Sequence, residues 1–143
     1  MINLNDYLAP GIEAVVQKTV RDDDTAAHHG SGALDCLLAT PAYVDLLIRA
    51  SVEAVESKLP EGFITVGRYM EFTHDAPTGT GMAVTVKSVL SRIDGNRLFF
   101  DITACDELGF IGSGRHERVV VNRDQLLKKA KERMKDIERN FLK

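Results

Sequence analysis

Two residues of this 143-residue chain offer the most chemistry: His74, in the string FTHDAP, and Thr40, in the string LATPAY. An imidazole titrates near neutral pH and can both accept and deliver a proton. His74 falls in strand phase with Met70 and Phe72, so partial desolvation is expected. On its own, a histidine at a strand end serves structure or function, and both readings stay open. Thr40 precedes Pro41, a strong helix start, and two roles are open to its hydroxyl. It can cap an orphan amide, or it can hold a nucleophile where unpaired amides and a partial positive charge would stabilise an oxyanion. Asp75 follows His74 but has the opposite strand phase, so it is not expected to orient the ring.

Other chemistry-bearing residues are weaker. Gly67 interrupts an apolar strand, a position where glycine often marks close approach of a backbone or a ligand. His28 and His29 lie near Asp35 and Cys36, but adjacent histidines rarely converge on one ion and nothing completes a coordination shell, so no metal site is expected. Cys36 reads as a buried, inert thiol. Phosphate-cradling glycine loops and dinucleotide fingerprints are absent, and no cofactor is expected.

These residues need elements to position them. Gly11 to Val20 alternates as an outer strand. Arg21 to Ala33, with three consecutive aspartates and the string HHGSG, has no apolar period and reads as a long loop, either a binding element or a surface excursion. A helix should run from Thr40–Pro41 to about Lys58. Its apolar residues cover most of the circumference, and Asp45, Arg49, Glu53 and Glu56 form a narrow polar stripe, so the helix should be nearly engulfed. The period then changes to two. Strands are expected at Ile64 to His74, with Ile64, Val66, Met70 and Phe72 in one phase, and at Met82 to Ile93. Two more should follow the Asp94-Gly95 hairpin signal, at Arg97 to Asp106 and Ile111 to Asn122. Leu127, Ala130, Met134, Ile137 and Phe141 recur at helical spacing in a closing amphipathic helix whose other face is rich in lysine. That face is either a solvated surface or a source of phosphate affinity. The expected fold is α+β: one domain over residues 1–143, with a curved antiparallel sheet of about five strands wrapped around a long central helix.

Composition narrows the function. Hydrophobic residues at 44% and charged residues at 27% describe a folding globular chain. A net charge of −3 and a pI near 5.8 lack the positive field that nucleic-acid binding needs. No run reaches membrane-span length and the start MINLNDYLAP lacks signal-peptide character, so a cytoplasmic location is expected. Two cysteines make no disulfide framework, which suits a reducing compartment.

Four strings in order, LLATPAYVDLL, MEFTHDAPTGTGMAVTV, VLSRIDGNRLFFDITACDELG and IGSGRHERVVV, resemble the hotdog-fold acyl-CoA thioesterases of the fluoroacetyl-CoA thioesterase type. The resemblance spans about Gly32 to Arg123. It implies a homodimer that hydrolyses a small acyl-CoA thioester at the subunit interface. The family's catalytic threonine and histidine match Thr40 and His74, and its thioester contacts match Gly67 and Arg118. For Arg118 the alternative is an ordinary strand-face ion pair with Glu117 or a neighbour. The family's catalytic glutamate falls on Ile48, which can neither accept a proton nor orient a histidine. Glu53 lies about 140° around the helix from Ile48 and Asp45 about 60°. Asp45 is thus the better-placed acid, although an exposed chain of i, i+4 pairs explains Asp45, Arg49 and Glu53 more simply. The loss of that acid leaves a second expectation, a non-hydrolytic acyl-CoA or CoA-binding protein.

Overall fold

Alternating apolar residues build five strands, and a computed structural model, which describes residues 2–30 and 32–141, joins them into one antiparallel sheet. Strand β1 spans Glu13–Thr19, β2 Phe63–Phe72, β3 Ala83–Asp94, β4 Arg97–Asp106 and β5 Gly109–Asn122, in the spatial order β1-β3-β4-β5-β2. Helix α1, Thr40–Val55, lies mainly over β1 and β3, and α2, Arg123–Phe141, follows β5 without a break. The order strand, helix, four strands, helix is the one expected. Ser31, within HHGSG, lies outside the described residues.

The alternation of β3 and β4 sets the core. Val84, Val86 and Leu90 of β3 meet Leu98, Phe100, Ile102 and Ala104 of β4 on the inner face, and Tyr43, Leu46, Leu47, Ala50 and Ala54 of α1 pack onto them. The hydroxyls of Ser51 on α1 and Ser88 on β3 hydrogen-bond across this interface at 2.8 Å, satisfying two buried polar groups. Asp45, Arg49 and Glu53 stay exposed as the polar stripe, with Asp45 and Arg49 ion-paired at 3.2 Å. The flank carrying Val44, Ile48 and Val52 is only half-buried, so α1 is less fully enclosed than its composition suggests.

Strand β2 corrects the expected phase. A bulge at Arg68 shifts its register against β5, so Thr65 and Gly67 share the inner face with Met70 and Phe72 while Ile64 and Val66 point outward. His74 keeps the inner phase of Met70 and Phe72. Thr40 brings a second correction: the helix N-cap is Ala39, with extended backbone, and no side chain caps the helix. Thr40 is the first helical residue, and its hydroxyl is spent elsewhere. Cys36, expected inside, is exposed, because its segment runs over the surface toward the helix start.

The loop between β1 and α1 is anchored at both ends. Asp24 pairs with Lys18 at 2.8 Å, Thr25 bridges Leu38, and Leu37 bridges Gly79. The Ala39 amide donates to Asp24 and the Leu38 amide to Thr78. Helix α2 is the opposite case: Leu127, Met134 and Ile137 remain exposed along it. Among the described residues, no helix is long and apolar enough to cross a membrane.

Candidate active site

The start of α1 and the end of β2 converge. Thr40 Oγ1 and His74 Nδ1 are hydrogen-bonded at 2.9 Å, 34 residues apart in the chain. Tyr43, one turn into α1, stacks its ring on the imidazole with centroids 4.5 Å apart and planes 14° apart. This packing sets the His74 ring against the helix end and leaves its Nε2 buried without a partner among the described residues. The amides of Thr40 and Ala42 precede that of Tyr43, which makes the first intrahelical bond, to the Ala39 carbonyl. They are therefore the donors the helix presents at this end, because Pro41 has none.

Burial holds His74 below the ordinary histidine range, and the nearby Asp75 carboxylate partly opposes this. The ring is therefore neutral at physiological pH, as a general base must be. The same two influences act together on Tyr43: burial, then the Asp75 charge, push its phenol up to about 12. Tyr43 is thus a neutral wall for the imidazole.

Thr40 and His74 open onto a cavity of about 400 Å³. Its far wall is the anchored loop, through Ala26, His29, Leu34 and Leu37, and Ala76 and Pro77 complete an apolar lining. The loop is therefore part of the site. His29 is held by a 2.9 Å hydrogen bond between its Nε2 and the Asp23 carbonyl. Among the described residues, no cluster of histidine, cysteine and carboxylates is arranged to hold a metal ion. A larger groove, about 660 Å³, lies on the outer face of the sheet around Lys87, Asp101 and Arg115, but no histidine lines it.

Gly67 and Arg118 form a second cluster. Arg118 is buried on the inner face opposite Gly67, donating from Nε to Thr65 Oγ1 at 2.8 Å and from Nη2 to the Thr65 carbonyl at 2.9 Å. Its Nη1 donates to His116 Nε2 at 3.1 Å, while His116 Nδ1 donates to the Tyr69 carbonyl at 2.9 Å. Burial lowers both Arg118 and His116 below their usual ranges. The expected alternative is an ion pair with Glu117 or a neighbour: Glu117 does not pair with Arg118, and the neighbouring carboxylate, Glu56, acts on it electrostatically and shares the Thr65 hydroxyl with it. Alternation sends Glu117 to the outer face, where Arg97 and Arg68 each approach it to 2.8 Å. Gly67 is seven residues from His74, about 23 Å along an extended strand. One protomer therefore does not bring the two clusters together.

Ile48 lies two turns along α1 from Thr40, beside Val15, Gln17 and Val52, and does not line the Thr40–His74 cavity. Sequence reasoning passed over Tyr43, counted among the apolar residues of the helix, and Asp75, set aside on strand phase. Asp75 lines the cavity because β2 ends at Phe72 and strict alternation ends with it.

Comparison with known proteins agrees with the family resemblance and with the fold. Residues 20–124 match the family model described as fluoroacetyl-CoA-specific thioesterase. A fluoroacetyl-CoA thioesterase from Streptantibioticus cattleyicolor is 34% identical over 97 residues, covering 68% of this chain and 70% of that protein. Among solved structures, a hot-dog-like protein from Thermanaerovibrio acidaminovorans superposes with a TM-score of 0.85 at 33% identity, covering 92% of this chain and 97% of that one. A fluoroacetyl-CoA thioesterase mutant in complex with acetyl-CoA superposes at 0.82 with 27% identity, over 88% of this chain and 98% of that one. The curled sheet around α1 is a hotdog fold.

Proposed function

The chain belongs to the fluoroacetyl-CoA-specific thioesterase family, and from that premise we propose that it hydrolyses a small acyl-CoA thioester in the cavity between Thr40 and His74. The observation that carries the reading is the 2.9 Å contact between Thr40 Oγ1 and His74 Nδ1 at the open end of α1. With Ala39 as N-cap and no side chain capping the helix, the hydroxyl has no helical duty that would explain its place.

In this reading the acyl carbonyl oxygen lies against the Thr40 and Ala42 amides, where helix-end charge stabilises the oxyanion. Thr40 attacks or holds the attacking water. His74 accepts the proton released as the carbon–oxygen bond forms and returns it to the coenzyme A sulfur as the carbon–sulfur bond breaks. Where water attacks, the products are at once a carboxylic acid and free coenzyme A; where Thr40 attacks, coenzyme A leaves first, and a water that gives its proton to His74 then cleaves the Thr40 ester, the proton returning to the Thr40 oxygen as the acid departs. Small acyl groups fit a cavity of this volume with an apolar far wall.

We also propose that the working unit is a homodimer. Strand β2 is a sheet edge with an unpaired side, and Tyr69 and Phe72 are exposed on it. Antiparallel pairing of two such edges runs the His74 end of one protomer alongside the Gly67–Arg118 region of the other. Mixing His74→Ala with Arg118→Ala chains should then restore activity, because some mixed dimers carry one intact composite site.

The test of the function is thiol release from a panel of acyl-CoA esters by the native protein and by His74→Ala. Turnover of a short-chain ester that His74→Ala loses is the expected result. Ile48 at the family's glutamate position favours one other reading, a non-hydrolytic acyl-CoA-binding protein. Tight ester binding without turnover of any ester would establish that reading instead.

A further inference from the structure

We propose that Asp75 is the counter-charge to the His74 imidazolium, supplying the carboxylate that the family's helix glutamate does not supply here. The inference rests on the thioesterase reading above. A histidine that takes a proton in a half-buried site needs negative charge nearby, and Ile48 offers none.

Three observations place Asp75 in that role. It lines the same cavity as Thr40 and His74, and no other acidic residue is found among the described residues that do so. Its carboxylate is fixed in position: Oδ2 accepts a 2.7 Å hydrogen bond from the Thr73 hydroxyl, and that same oxygen of Thr73 accepts the Ser113 amide. Its backbone is tied to β5 by a 2.7 Å bond from the Asp75 amide to the Ile111 carbonyl. Among the described residues no cation pairs with it, so its charge is free to act on the imidazole.

The role is electrostatic. His74 Nδ1 is engaged by Thr40 and Nε2 is buried, so the carboxylate acts through space on the charged ring. The other titratable groups around His74 do not compete for the role. Tyr43 of α1 stays protonated to about pH 12, and His29 stands on the loop wall of the cavity and carries no negative charge. Asp75 opposes the effect of burial on His74, in the direction a counter-charge must.

The test uses Asp75→Asn, which keeps the shape and the bond from Thr73, with Asp75→Glu as the conservative control. Two measurements are made on the full-length protein: kcat and KM for a short acyl-CoA across pH, and the His74 titration followed by NMR of the imidazole C2 proton. For Asp75→Asn, kcat at neutral pH should fall about 10-fold to 100-fold with KM nearly unchanged. The His74 titration and the acid limb of the rate profile should move down together by about half to one pH unit, because removing a neighbouring negative charge disfavours the imidazolium. Asp75→Glu should recover part of both. An unchanged His74 titration in Asp75→Asn overturns the proposal, whatever happens to the rate. If the native protein turns over no ester, the thioesterase reading fails, and the titration alone still decides whether Asp75 is the partner of His74.

Discussion

Replacing Thr40 with valine separates a helix cap from a reacting group. Valine keeps the branched shape and removes only the hydroxyl. Were Thr40 a cap, the loss would be about 1 kcal/mol, with a range of roughly 0.5–2. Here the hydroxyl makes no cap bond and its one side-chain partner is His74. An exposed hydrogen bond of that kind contributes about 0.5 kcal/mol, which in a domain of this size moves Tm by roughly 2 °C. Activity should respond on a different scale. Loss of a group that attacks or places water should lower kcat by about 100-fold to 1,000-fold, while Thr40→Ser stays within about 10-fold of native. Thermal unfolding and thiol release on the same preparations give both numbers. A Thr40→Val protein that retains kcat within about threefold would refute the assignment, and one destabilised by more than about 2 kcal/mol would refute the observed helix boundary.

Other substitutions probe the surroundings of His74 and the second cluster. In Gly112→Ala the new methyl would overlap the Thr73 carbonyl oxygen and the Tyr43 hydroxyl, the first of which is backbone and cannot rotate away. Chemical denaturation should show a loss of about 1–3 kcal/mol or more, accompanied by reduced activity as Tyr43 and His74 shift. Gly67→Ala is the contrast. Its methyl meets Arg118 Nη1 and His116 Cε1 at 3.4 Å, the edge of ordinary contact, so stability should hold within about 0.5 kcal/mol while KM rises if thioester passes over Gly67. Tyr43→Phe removes a buried hydroxyl with no partner among the described residues and should stabilise the protein by about 1 kcal/mol at neutral pH. The native fold also retains the phenol proton to about pH 12, whereas the unfolded chain loses it near 10.0. Native stability should therefore fall by roughly 3 kcal/mol as pH rises across that window, and urea midpoints at pH 9 and pH 11 should diverge between the native protein and Tyr43→Phe.

The elements were legible because their periods are clean. Leu98, Phe100, Ile102 and Ala104 alternate without interruption, and β4 begins and ends where the pattern does. Strand β2 misled because one extra residue at Arg68 inverts every side chain before it, and the signal beside it, Gly67, was read as a close approach rather than as the mark of a bulge. Thr40 and His74 were recognisable by type and string, but their contact joins residues 34 apart and is a product of packing alone. The mistaken cap followed from reading Thr-Pro as a helix start one residue too late, since proline tolerates the second helical position as well as the first. Asp75 was hidden by a rule that holds only within a strand. Tyr43 was hidden by being apolar enough to fill a core whatever else its ring does.

The anchored loop separates two kinds of inheritance in this molecule. Its feet are fastened to the sheet and to the residue before the helix, through Thr25, Leu37, Leu38 and Ala39, whereas Ala26 and Leu34 between those feet line the cavity and take no part in those fastenings. Substitutions between the feet can therefore accumulate and reshape the cavity, generation by generation, while Thr40 and His74 on the opposite wall keep their geometry. A lineage built this way can exchange its diet without reinventing its teeth.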